Sequence, residues 1–102
     1  MNTEKKLIIE ARILSDPEFR IKCLLKLYEK QEELEQDAGT TLIENGVGFT
    51  KGDSMYLSQL AQYLQVNPSA SFTSGTMQSL KKYLPKYSTQ LCNYLTEDEI
   101  LN

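Results

Sequence analysis

Residues 73–95 read TSGTMQSLKKYLPKYSTQLCNYL, and the spacing of their apolar residues decides the fold class. Leu80, Leu84, Tyr87, Leu91 and Leu95 recur at steps of three and four, the repeat of one buried helix face. A half-buried strand would need steps of two. Pro85 falls inside this run. It lacks an N–H and crowds the preceding turn, so the spacing predicts a kink or a tight helix-to-helix junction. Thr73 or Ser74 can cap the start. Thr96 and Glu99 stand at capping-box spacing, which predicts a last helical turn ending in Ile100 and Leu101.

Working back toward the N-terminus, Thr50 and Asp53 start a third helix that runs to about residue 65. Met55, Tyr56, Leu57, Leu60, Ala61 and Leu64 are its expected inward face, and Asn67-Pro68 stops it. The first helix is expected over about 4–14, with a stripe of Leu7, Ile8, Ala11 and Leu14. Ser15-Asp16-Pro17-Glu18 then opens a second helix: Asp16 can cap, Pro17 suits the first helical position, and Ser15 with Glu18 has capping-box spacing. This helix runs to about residue 36 and buries Phe19, Cys23, Leu24, Leu27, Tyr28 and Leu34. Residues 37–50, DAGTTLIENGVGFT, break the helical pattern with three glycines. Asn45-Gly46 is a hairpin-turn signal, so residues 40–44 and 47–50 either pair as a small hairpin or form an ordered irregular loop. The expectation is an all-α fold, one domain over 1–102, with four to five helices and an ordered glycine-rich loop between the second and third. Leu24, Leu27, Tyr28, Phe49, Leu57, Leu60, Leu64, Leu80, Leu84 and Leu91 are the expected core.

At 102 residues, 40% hydrophobic and 25% charged, the chain has ordinary globular values. It has no histidine, which removes the commonest general base, the Ser-His and Cys-His dyads and the commonest metal ligand. Cys23 and Cys92 have no CxxC partner; they read as two buried thiols, the alternative being a disulfide between them, and the thiol reading fits a reducing, cytoplasmic setting. The opening MNTEKKLII is too short for a signal peptide's apolar region or a membrane span, so a chain without a membrane partner is expected. No dinucleotide, Walker A or nucleophile-elbow motif is present, and Gly46-Val47-Gly48 supplies only two glycines. Catalysis, a cofactor and a metal are therefore not expected.

The net charge of −3 is unevenly spread. Glu29, Glu32, Glu33, Glu35 and Asp37 face only Lys30 in residues 29–37, whereas residues 51–95 hold Lys51, Lys81, Lys82 and Lys86 against Asp53. The run 81–87 interleaves lysines with Tyr83 and Tyr87. Lysines gain affinity for phosphates by counterion release, and an exposed tyrosine can stack on an unpaired base. Lys51, Lys81, Lys82, Tyr83 and Lys86 are thus candidate nucleic-acid contacts; the structural alternative is a core Tyr87 beside solvated lysines. Gln31, Asn45 and Asp53 either pin the loop or, with Gly46 and Gly48, present it to a partner. The acidic stretch is a solvated helix face, or a mimic of nucleic acid that docks on a basic groove of a protein complex.

Two blocks resemble a known module. Leu27-Tyr28, Gln31, Glu35-Gln36, Thr40-Thr41, Asn45 to Phe49, Asp53, Leu57 and Leu60-Ala61 make the first, and the run from Lys81 to Leu91 makes the second. Together they resemble a small uncharacterised helical module of bacteriophage, plasmid and other mobile-element proteins, associated with helicases and DNA metabolism. Thr50 stands where that module usually has Asn, Ser54 where it has Ala, and residues 72–76 lack its lysine. The resemblance implies a context: an accessory binding module in nucleic-acid metabolism. Two rivals stand beside it, a phage-type inhibitor or adaptor acting through the acidic face, and a small helical subunit of an RNA-guided complex. The sequence does not set an oligomeric state.

Overall fold

The computed structural model describes residues 2–38, 49–50 and 52–101, with the side chains of residues 2 and 33–38 outside that description. The described residues are all-α, as expected. In order they form α1 (Asn2–Ser15), α2 (Pro17–Ala38), α3 (Ser54–Val66), α4 (Ser74–Tyr83), a 3-10 turn (Leu84–Tyr87), α5 (Ser88–Tyr94) and α6 (Glu97–Leu101). The expected hairpin at 40–50 falls almost wholly outside the described residues. The chain divides into two compact units, with boundaries between Cys23 and Leu24 and between Ser71 and Phe72.

The first unit holds α1, the start of α2, and everything from α4 onward. Here α5 and α6 pack on α1, and the 3-10 turn touches α1, α4 and α5. Leu80, Leu84, Tyr87, Leu91 and Leu95 are all buried, joined by Ile9, Ile13, Phe19, Cys23 and Ile100. Pro85 has the predicted effect: α4 tightens into the 3-10 turn, and α5 resumes with the apolar repeat intact. Thr73 Oγ1 accepts from the Thr76 N–H at 3.2 Å. The capping box of α6 is reciprocal: Thr96 N–H donates to Glu99 Oε1 at 2.9 Å, and Glu99 N–H to Thr96 Oγ1 at 3.1 Å.

Two details expected of this unit are corrected. On α1 the buried pair is Ile9 and Ile13, while Leu7 and Leu14 are 60% and 53% exposed and Ala11 is exposed too. The run LIIEARIL is apolar on several sides, so its orientation is set by what covers it. In the orientation adopted, Arg12 Nη1 donates to the carbonyls of Glu99 and Ile100 at 3.1 and 2.9 Å while Ile9 and Ile13 face inward. At the start of α2, Asp16 alone makes the cap, its Oδ1 accepting from the N–H of Glu18 and Phe19. Ser15 Oγ instead donates back to the Ala11 carbonyl.

Asp16 Oδ2 also accepts from Arg12 Nη2 at 2.8 Å, and the Arg12 guanidinium lies 4.2 Å from the Phe19 ring centre. The Arg12 hydrogen bond, helped by the Phe19 N–H, holds the Asp16 carboxyl below its ordinary 3.8. A group depressed on folding stabilises above its unfolded value, and that contribution is lost as pH falls through the folded value. Asp16→Asn keeps a capping oxygen but loses the charge. Thermal melts should therefore show the wild type losing its advantage over Asp16→Asn as pH drops below 3.8.

The described part of the second unit is the rest of α2, residues 49–50 and 52–53, α3 and residues 67–71. Leu24, Leu27, Tyr28, Phe49, Leu57, Ala61 and Leu64 are buried. Leu60 is only half-buried, and Met55, expected inside, is 77% exposed. For Met55 the reason is register: Leu57, Ala61 and Leu64 form a four-three stripe, and Met55, two residues before Leu57, lies off it. The helix starts at Ser54 with Asp53 at the N-cap position. Thr50 contributes its carbonyl, which accepts the N–H groups of Asp53 and Ser54. Tyr28 Oη accepts from Gln62 Nε2 at 2.9 Å, tying α2 to α3.

Candidate functional site

The lysine–tyrosine run straddles the break at Pro85, and the break sorts its side chains. Lys82 and Lys86 are exposed, Lys81 and Tyr83 are half-buried, and Tyr87 is buried in the core. Tyr83 is therefore the aromatic that reaches the surface. The 3-10 turn brings Lys86 Nζ to 5.7 Å from the Tyr83 ring centre and 5.8 Å from that of Tyr87. Both distances lie within cation–π reach, so the ammonium is steered to the tyrosine side of the turn. Lys86 thus reaches the tyrosine rings from the exposed side of the turn.

Burial along the segment shows a larger feature. Gln78, Lys82, Lys86, Thr89 and Asn93 are all exposed and follow one another at steps of three and four. They make the solvent side of α4, the turn and α5, opposite the buried Leu80, Leu84, Tyr87 and Leu91. At 1.5 Å per residue this strip is about 22 Å long. It carries amides, a hydroxyl and two ammonium groups. No acid occurs anywhere between Asp53 and Glu97. Sequence reading singled out the lysines but missed Gln78, Thr89 and Asn93. The signal that finds them is this acid-free span read at helical spacing.

The strip ends beside an open cavity of about 220 Å³ in the first unit, lined by Thr3 and Lys6 of α1 and by Thr89, Cys92 and Asn93 of α5. Neither cysteine is in a disulfide; Cys92 is half-buried. Cys23 is buried, and loss of solvation pushes its thiol up to about 12.

The other candidates separate. Gln31 is buried in the second unit. Its Oε1 accepts from the Phe49 N–H at 3.0 Å, and its Nε2 donates to Ser54 Oγ and Ser58 Oγ at 3.4 and 3.2 Å. Asp53 is buried at the head of α3 without making a side-chain cap bond. Asn45, Gly46, Gly48 and Lys51 lie outside the described residues. Glu29 is exposed and Glu32 half-buried, while the side chains of Glu33, Glu35 and Asp37 are outside the description. Among the described residues no three His, Cys, Asp or Glu side chains converge as a metal site, and no helix is long and apolar enough to cross a membrane.

The chain matches no protein-family model, no curated protein and no solved structure, so this surface has to be read from its own chemistry.

Proposed function

We propose that this chain is a non-enzymatic nucleic-acid-binding module, an accessory to DNA or RNA metabolism. The observation that supports it is the acid-free strip in which Lys82 and Lys86 flank the half-buried Tyr83. A polyanion selects such a surface because each neutralised phosphate releases a counterion, whereas a nearby carboxylate would cancel the gain. The placement of Lys86 by the tyrosine rings lowers the ordering cost of one contact. With two or three lysines engaged the affinity is modest and strongly salt-dependent.

Fluorescence anisotropy with labelled single-stranded DNA, duplex DNA and RNA tests this at low and near-physiological salt. For three engaged lysines, log affinity should fall against log salt with a slope of about −2 on single strands and about −3 on duplex. The double reversal Lys82→Glu/Lys86→Glu should abolish binding with helix content unchanged, since both side chains are exposed. Binding that survives the reversal, or none at low salt, refutes the proposal. The acidic stretch would then be tested by neutralising Glu32, Glu33 and Glu35 and following association with a basic protein surface.

A further inference from the structure

The strip and the cavity at its end share Thr89 and Asn93. A strand tracking Lys82 and Lys86 toward α5 arrives at that cavity. The cavity is smaller than the pockets of roughly 300–1,000 Å³ that take drug-sized ligands. Its lining divides by chemistry. Lys6 offers a cation from α1, suited to a phosphate. Asn93 offers a donor and an acceptor on one planar amide, the pair that matches a base edge such as the N6/N7 side of adenine. Thr3 and Thr89 add hydroxyls that donate or accept. We infer that this cavity is a subsite for a single unpaired nucleotide of a bound strand, with Lys6 at its phosphate and Asn93 at its base.

This rests on the nucleic-acid reading above and adds a ligand class to it: single-stranded rather than duplex. A paired base cannot enter a side pocket without leaving its stack. The remaining features of α4 agree. A helix that reads duplex bases in the major groove does so from its N-terminal residues. The first turn of α4, Ser74-Gly75-Thr76, carries no arginine, lysine, asparagine or glutamine for a bidentate base contact, and its lysines lie at the other end. Beside them Tyr83 is placed to stack on a base.

Cys92 gives the test a built-in reporter, because it lines the cavity while Cys23 is buried and held protonated at working pH. Iodoacetamide labelling of the full chain, followed by mass spectrometry, should modify Cys92 and leave Cys23 as an internal control. A saturating short oligodeoxyadenylate should slow Cys92 labelling severalfold, and the same strand annealed to its complement should not. Asn93→Ala should weaken strand binding by about tenfold, the size of one lost amide–base pair. Lys6→Ala should weaken it less and flatten the salt slope by about 0.7. Both side chains are exposed, so circular dichroism should show both variants folded. Suppose the strand binds and depends on Lys82 and Lys86, but Cys92 labels at the free rate and Asn93→Ala binds normally. The cavity assignment then fails while the strip stands. Equal protection by duplex also overturns the assignment. Absence of any binding overturns both.

Discussion

Replacing Arg20 with alanine should lower the unfolding free energy by about 3 kcal/mol, the sum of two charge-assisted hydrogen bonds and a lost buried stem. Arg20 is only 3% exposed. Its Nε donates to the Ile13 carbonyl at 2.6 Å and its Nη2 to the Leu14 carbonyl at 3.3 Å. Those carbonyls belong to the last turn of α1, where an α-helix runs out of its own donors. A cation there also meets the negative end of the helix dipole. Against this stands the cost of desolvating a guanidinium, several kcal/mol, so the net value depends on both bonds being made. Arg20→Met keeps most of the stem and should lose about 1–2 kcal/mol, isolating the polar part. Arg20→Lys should fall between, because one ammonium cannot reproduce the planar fork. Urea denaturation measures all three. An alanine variant within about 0.5 kcal/mol of wild type would show that the end of α1 does not depend on Arg20.

Arg12 does for α6 what Arg20 does for α1, and neither role was legible in the sequence. A helix of five residues such as α6 closes little of its own hydrogen bonding. It is held by its capping box, by buried Ile100, and by Arg12 at its last carbonyls. The capping box is local, four residues long, and could be read from Thr96 and Glu99. The Arg12 contacts span 87 and 88 positions of chain, and nothing near Arg12 announces them. The same distinction separates α4–α5 from α1. The former has one apolar stripe and one polar strip, so periodicity alone orients it. The latter has apolar residues on several sides, and only tertiary contact chooses Ile9 and Ile13 over Leu7 and Leu14. The candidate surface was half legible for a related reason. Lysines beside tyrosines attract notice as a cluster. Thr89 and Asn93 are ordinary helix-surface residues until the cavity against Lys6 brings them together.

Gln31→Leu should cost about 2–3 kcal/mol, most of it from one backbone group. The Phe49 N–H can only donate, so the Gln31 amide must present its oxygen there and its nitrogen to Ser54 and Ser58. The side chain is 4% exposed, and among the described residues no buried side-chain nitrogen or oxygen lacks a partner. Leucine fills much the same volume but removes the Gln31 acceptor from the buried Phe49 N–H, and loss of a buried hydrogen-bond partner costs about 1–3 kcal/mol. The half-buried serine hydroxyls can turn elsewhere, so Ser58→Ala alone should cost about 0.5–1 kcal/mol. If the three groups act as one network, Ser58→Ala should cost almost nothing once Gln31 is leucine, and the double-mutant cycle should return a coupling of about 0.5 kcal/mol or more. Additive losses would mean that Gln31 holds Phe49 alone. Hydrogen exchange gives the local readout: the Phe49 amide should be protected in the wild type and lose most of that protection in Gln31→Leu. The Leu80 amide, in the other unit, should change only as far as global stability does.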